Sequence, residues 1–307
     1  VSFAWIQLSS NILGTSDNKS VSPSAPIAVL DSGLGGLTVV KALQREMPHE
    51  DILYFGDTAR VPYGSKSPGT IVGYVRQIVN YLQTHEPKHI VIACNTATAV
   101  ALHVIRKEIP GISISGVIEP GAKAAAAAAG DKHAPVIGVI ATEATVRSKA
   151  YEHALSRRRV RARLLFRPTP LLAPIVEEGR PLDDPVVVLT VEQYLRPMLK
   201  IGLDVLLLGC THYPILRPLI ETTVGPNVTV IDSAQACAED VCRRLLLGGL
   251  LRGDSDKPGR LHCFVTDESQ RFARQALRCV GMDIPTPTWV SPEELYRYGE
   301  EANQISN

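Results

Sequence analysis

The sequence predicts an α/β protein of two pseudo-symmetric halves, each a mostly parallel sheet flanked by helices, with ligand chemistry in the cleft between them. Three observations predict this. Short β-branched runs alternate with helical patterns, the runs are mostly apolar, and one strand-plus-motif arrangement occurs twice. Strands that are apolar on both faces need cover on both faces, which crossover helices supply to a parallel sheet.

Taken in order, apolar runs at 27–30, 52–55, 89–93 and 112–118 predict four strands, and those at 136–141, 161–166, 205–208 and 228–231 predict four more. The run at 262–265 predicts a ninth. Between the second and third runs, Ile71, Val75, Ile78, Val79 and Leu82 recur at the 3.6-residue period, which predicts a helix over 71–83. The run from His89 to Cys94, Asn95 and Thr96 has its counterpart in Val205 to Cys210, Thr211 and His212. Upstream, Pro26 to Asp31 and Ser32 matches Pro135 to Thr142. Each half thus carries one cysteine at a strand's carboxyl end, where open α/β sheets bind ligands. The two could meet across a cleft between domains.

A chain of 307 residues supports two hydrophobic cores, and its 45% hydrophobic and 21% charged residues are typical of a globular protein. The net charge of +1 argues against a general nucleic-acid or membrane-surface binder. The basic run Arg157, Arg158, Arg159, Arg161 and Arg163 reads as a solvated helix end and edge strand. No apolar stretch is long enough to span a membrane. The segment Val1 to Ala25 lacks the features of a signal peptide and is expected to be a mobile extension. Six widely spaced cysteines point to free thiols and a cytoplasmic location, and no spacing reads as a metal site. Cys237, Cys242, Cys263 and Cys279 read as packing residues.

A thiol that follows a strand and opens a helix lies at the positive end of the helix dipole, which is expected to favour thiolate and lower its pKa. A single such cysteine is most simply a buried strand-end residue. A matched pair with polar flanks instead suggests two-base chemistry, because inverting an α-carbon removes a proton from one face and returns one to the other. The turn Asp31-Ser32-Gly33-Leu34-Gly35-Gly36 lets backbone N–H groups approach an anion, a substrate carboxylate or a nucleotide phosphate. Asp31 could partner a thiol, meet a substrate ammonium or cap the turn. Pro62-Tyr63-Gly64 forms a loop able to fold over a ligand, with Gly64 as a backbone donor. His212 could orient or deprotonate Cys210, and Glu177 and Glu178 end a short helical pattern as solvated carboxylates unless the fold brings one to the cleft.

Together with Gly56-Asp57-Thr58-Ala59-Arg60 and Ile231-Asp232-Ser233-Ala234, these motifs resemble the glutamate racemases of the aspartate/glutamate racemase superfamily, from about Pro26 to beyond Asp232. The resemblance implies racemisation of L- and D-glutamate by α-proton transfer without a cofactor, supplying D-glutamate for peptidoglycan. It implies a first domain of residues 26–120 plus 232–307 and a second of 121–231, with the chain crossing back. By position it makes Cys94 and Cys210 the acid/base pair, supported by Asp31, His212 and Glu177. Asp31, Ser32, Tyr63, Gly64, Asn95, Thr96, Thr142, Thr145, Thr211 and His212 match substrate-contacting positions. Thr169 stands where many members have cysteine. The implied partner is glutamate, with no metal, nucleic acid or membrane. A peptidoglycan-precursor effector and a homodimer are left open, as are the same-superfamily alternatives of aspartate or hydantoin substrates and, from a different class, a nucleotide- or metabolite-binding protein that uses the turn at Gly33 to Gly36 without chemistry at the thiols.

Overall fold

The computed structural model describes residues 21–130, 132–158, 161–253 and 257–305. The first half runs β1 (Ile27–Asp31), α1 (Leu37–Glu46), β2 (Ile52–Gly56), α2 (Pro68–Gln83), β3 (His89–Ile92), α3 (Asn95–Glu108), β4 (Ile114–Gly116) and α4 (Ile118–Ala129). The second continues with β5 (Val136–Ala141), α5 (Glu143–Arg147), α6 (Ala150–Ser156), β6 (Arg163–Pro168), α7 (Leu172–Glu177), α8 (Pro185–Leu199), β7 (Val205–Gly209), α9 (Arg217–Val224) and β8 (Thr229–Asp232). The chain ends with α10 (Ser233–Leu247), β9 (Leu261–Val265), α11 (Ser269–Gln275), β10 (Thr288–Trp289) and α12 (Pro292–Ile305).

Two sheets result, one of six strands in the order β10-β9-β2-β1-β3-β4 and one of four in the order β6-β5-β7-β8. Every strand pair is parallel. The unbroken apolar strands follow from this arrangement, because both faces of each sheet are covered. Along β1, Ile27 and Val29 enter one core with α1 and α10, while Ala28 and Leu30 enter another with α2 and α3. Along β7, Leu206 and Leu208 pack with α7 and α8, while Val205 and Leu207 pack with α4 and α6. The chain leaves the larger sheet after β4 and returns to it through α10, which packs under β1, and through β9.

All nine expected strands are present, the one at 136–141 with the expected bounds and the others with shifted ends. The fourth is shorter than expected because Ile118 opens α4, where Pro120 sits in the first turn and suits helix entry. The helix expected over 71–83 starts earlier, since Ser67 caps it by accepting from the N–H of Thr70 and Pro68 takes the first position. β10 is two residues long between prolines and carries no readable period.

Arg157 and Arg158 at the end of α6 meet Glu119, and Arg163 begins the edge strand β6; Arg159 lies outside the described residues. Residues 1–20 of the expected extension also lie outside them, and its remainder is tied down. Lys88 Nζ donates to the carbonyl of Pro23 at 2.6 Å, and Arg252 donates to that of Ser24. Among the described residues, no helix is long and apolar enough to cross a membrane.

Candidate active site

The carboxyl ends of the strands of both sheets meet at one cavity of about 250 Å³, lined by Cys94 beyond β3 and Cys210 beyond β7. Its size is below the roughly 300–1,000 Å³ of drug-sized pockets, which suits a small metabolite. Ser32, Tyr63, Gly64, Asn95, Thr96, Thr142, Glu177, Thr211 and His212 share the wall. Asp31 and Thr145 do not line it, and both are buried just behind it.

Cys94 occupies the N-cap position of α3, where its sulfur accepts from the N–H of Ala97 at 3.5 Å and from the hydroxyl of Ser32 at 3.6 Å. The expected lowering of its pKa does not occur. Burial pushes the thiol up to about 12, the Asp31 carboxylate adds to the rise, and the two hydrogen bonds offset only part of it. Cys94 is therefore a protonated thiol at neutral pH.

Cys210 has a different neighbour. His212 Nδ1 lies 3.7 Å from its sulfur, and His212 Nε2 lies 3.0 Å from Glu177 Oε1. Burial alone would lower the histidine's pKa, but hydrogen bonds and negative charge from Cys210 and Glu177 outweigh it and raise the pKa well above the ordinary value. An imidazolium thus stands against one sulfur while a carboxylate stands near the other. Of the two helix-end carboxylates, Glu177 reaches the cleft and Glu178 turns outward to Arg180.

The glycine turn approaches an anion, but that anion is Asp31. Gly33 N–H donates to Asp31 Oδ2 at 3.0 Å, Gly36 N–H assists, and Thr211 Oγ1 donates to Oδ1 at 3.4 Å. Burial raises the Asp31 pKa despite the opposing charge of His212 and these bonds. The turn also lets the two halves close together: a Cβ on Gly35 would lie 2.4 Å from Thr211 Oγ1 and 2.6 Å from His212 Nδ1.

On the opposite wall, Asn95 Oδ1 accepts from the hydroxyl of Tyr151 at 2.6 Å, leaving Nδ2 buried without a protein partner. Thr96 Oγ1 lies 2.9 Å from Thr142 Oγ1 and 3.2 Å from Thr145 Oγ1, and the last two are 2.9 Å apart. Tyr63 presents no free hydroxyl, because that group donates to Asp57. Asp57 is fully buried and also receives Arg60 Nε at 2.8 Å and Thr266 Oγ1 at 3.0 Å. Arg60 in turn donates to Gln77 Oε1 at 2.6 Å and lies 4.2 Å over the ring of Tyr74. This network fixes the loop that brings Gly64 against Thr142. Thr169 lies behind Cys210 and is bound to the hydroxyl of Tyr213 at 2.7 Å.

Residues 37–241 match the Asp/Glu/Hydantoin racemase family. The glutamate racemase of Neisseria meningitidis serogroup A is 45% identical over 273 residues, which is 89% of this chain and 99% of that protein. The chain belongs to the glutamate racemase family. Solved members share the fold: a glutamate racemase isoform from Bacillus anthracis matches with a TM-score of 0.81 at 36% identity, covering 87% of this chain and 98% of that one. The Francisella tularensis glutamate racemase, solved in complex with D-glutamate, matches with a TM-score of 0.79 at 33% identity, covering 88% and 98%. As a member of the glutamate racemase family the chain is an isomerase.

Sequence reasoning missed Tyr151, which is the hydrogen-bond partner of Asn95, and assigned no role to Asp57 or Arg60. A tyrosine among the apolar residues of α6 gives no local sign of reaching another helix's asparagine. Asp57 and Arg60 offered one signal, opposite charges three apart in a Gly- and Pro-bearing loop.

Proposed function

We propose that the chain interconverts L- and D-glutamate by two-thiol α-proton transfer without a cofactor. The observation that carries this reading is that Cys94 and Cys210, from the two halves, line one small cavity with oppositely charged supports. In the direction starting from L-glutamate, the Cys210 sulfur takes the α-proton as the Cα–H electron pair passes to the α-carbon and its carboxylate. Cys94 then gives its proton to the opposite face, leaving thiolate at Cys94 and thiol at Cys210. The imidazolium of His212 stabilises negative charge at Cys210 before transfer, and Asp31 disfavours it at Cys94. The reverse direction exchanges these roles.

The unpartnered Nδ2 of Asn95, together with the hydroxyls of Thr96 and Thr142, supplies donors for the substrate carboxylates, while Ser32 and Thr211 line the same wall with their hydroxyls turned to Cys94 and Asp31. Asp31 and Thr145 act from behind the wall, one on Thr211 and the glycine turn, the other on Thr96 and Thr142. The larger sheet with its helices (residues 26–120 and 232–307) and the smaller (121–231) are the two domains of this reading. The cellular role that fits the family is cytoplasmic supply of D-glutamate for peptidoglycan.

Incubation of chelator-treated protein with L-glutamate in heavy water, without pyridoxal phosphate, tests the chemistry by chiral chromatography and mass spectrometry. Two thiols on opposite faces give D-glutamate carrying deuterium at the α-carbon while early recovered L-glutamate remains protonated. Equal labelling of both from the start would point to one base serving both faces. Activity only after zinc or pyridoxal phosphate is restored would overturn the cofactor-free reading.

A further inference from the structure

The carboxylate of Glu177 is effective only if the end of α7 holds it against His212. α7 is a single short helix whose last carbonyls have few partners within the helix. Arg278, from the helical turn 276–280 that follows α11, reaches that end. Its Nη2 donates to the carbonyl of Glu177 at 3.2 Å. The same guanidinium packs closely against Gly179: a Cβ there would be 2.4 Å from Arg278 Nε and 2.9 Å from Cζ. Gly179 has φ +67°, so the chain turns sharply beneath the arginine. The neighbours of Arg278, Ala276 and Val280, are buried in the core of the larger sheet, whereas Leu172 and Val176 of α7 are buried in that of the smaller. The contact therefore spans the two halves at the edge of the cavity.

We propose that Arg278 is a positioning residue for the reaction: it clamps the carboxyl end of α7 and so fixes Glu177 against His212. The proposal rests on the roles of Glu177 and His212 in the reading above. A cation at a helix's carboxyl terminus is favourably placed. Replacing it frees the turn at Gly179 and allows Glu177 to withdraw. The charged or titratable groups that face His212 are then Cys210 at Nδ1 and Asp31, with Glu177 no longer held at Nε2. Losing the Glu177 carboxylate, which helps to raise the His212 pKa, makes the imidazolium give up its proton at lower pH.

The test measures kcat and KM against pH in both directions for Arg278→Ala and Arg278→Lys, each in the native and the Glu177→Gln background. Arg278→Ala should lower kcat from L-glutamate by about three- to tenfold, the scale of coupling between contacting residues. It should also move the alkaline limb of that kcat profile to lower pH, with kcat/KM falling equally in both directions. Arg278→Lys, which keeps the charge, should recover most of the loss. Gly179→Ala, which cannot accommodate the guanidinium, should reproduce the Arg278→Ala profile. In the Glu177→Gln background, Arg278→Ala should change kcat by less than about twofold, since the two substitutions act through one contact. An unshifted profile in Arg278→Ala, or an undiminished effect in the Glu177→Gln background, would overturn the clamp while leaving the Glu177 reading intact. An unaltered profile in Glu177→Gln itself would overturn both.

Discussion

At the scale of single residues, the two thiols differ by what stands beside them, and this difference can be measured at Cys94. Burial is the largest reason its pKa is pushed up to about 12, and the negative charge of Asp31 is the next. Asp31→Asn removes that charge, so Cys94 should ionise at lower pH and its alkylation by a neutral reagent should begin earlier in a pH series. An unchanged alkylation profile would show that Asp31 does not act on this sulfur. The single cysteine variants test the division of labour. Cys94→Ala and Cys210→Ala should each lose racemisation by several orders of magnitude, and near-normal turnover by either would contradict the two-thiol chemistry. Tyr151→Phe frees the Asn95 amide to rotate and present its oxygen to a carboxylate. KM for glutamate should rise by roughly one to two orders of magnitude, the worth of one hydrogen bond to a charged group; an unchanged KM would remove Asn95 from carboxylate binding.

At the scale of elements, the loop after β2 is held by charge rather than by regular structure. Asp57 binds Arg60, Tyr63 and Thr266 with its carboxylate entirely buried. Asp57→Asn would leave the largely buried Arg60 guanidinium without its counter-charge, at a cost of about 3–5 kcal/mol. Urea unfolding should show that loss, and KM should rise with it because Tyr63 and Gly64 would no longer be fixed at the cavity wall. Unchanged stability would mean the network contributes little. The sequence contained these residues in one readable loop. That loop does not include Thr266, more than two hundred residues away, which closes the network because β9 lies beside β2.

At the scale of the whole molecule, the parallel architecture was legible because a parallel sheet must be covered on both faces, and that requirement is written locally as unbroken runs such as 27–30 and 205–208. The internal repeat by itself assigns Cys94 and Cys210 to equivalent strand ends. Motif likeness gave the family, and most of the residues it pointed to do meet at one cavity. Only the tertiary structure decided the rest. Periodicity cannot say how two sheets face each other, so it could not show that Glu177 rather than Glu178 turns to His212, that Asp31 and Thr145 stand behind the wall, or that the glycine turn is filled by its own aspartate. Nor could helix position alone foretell the ionisation of Cys94. The dipole of α3 acts locally and can be read from sequence, whereas the burial that outweighs it comes from segments far apart in the chain that fold into the core of the larger sheet.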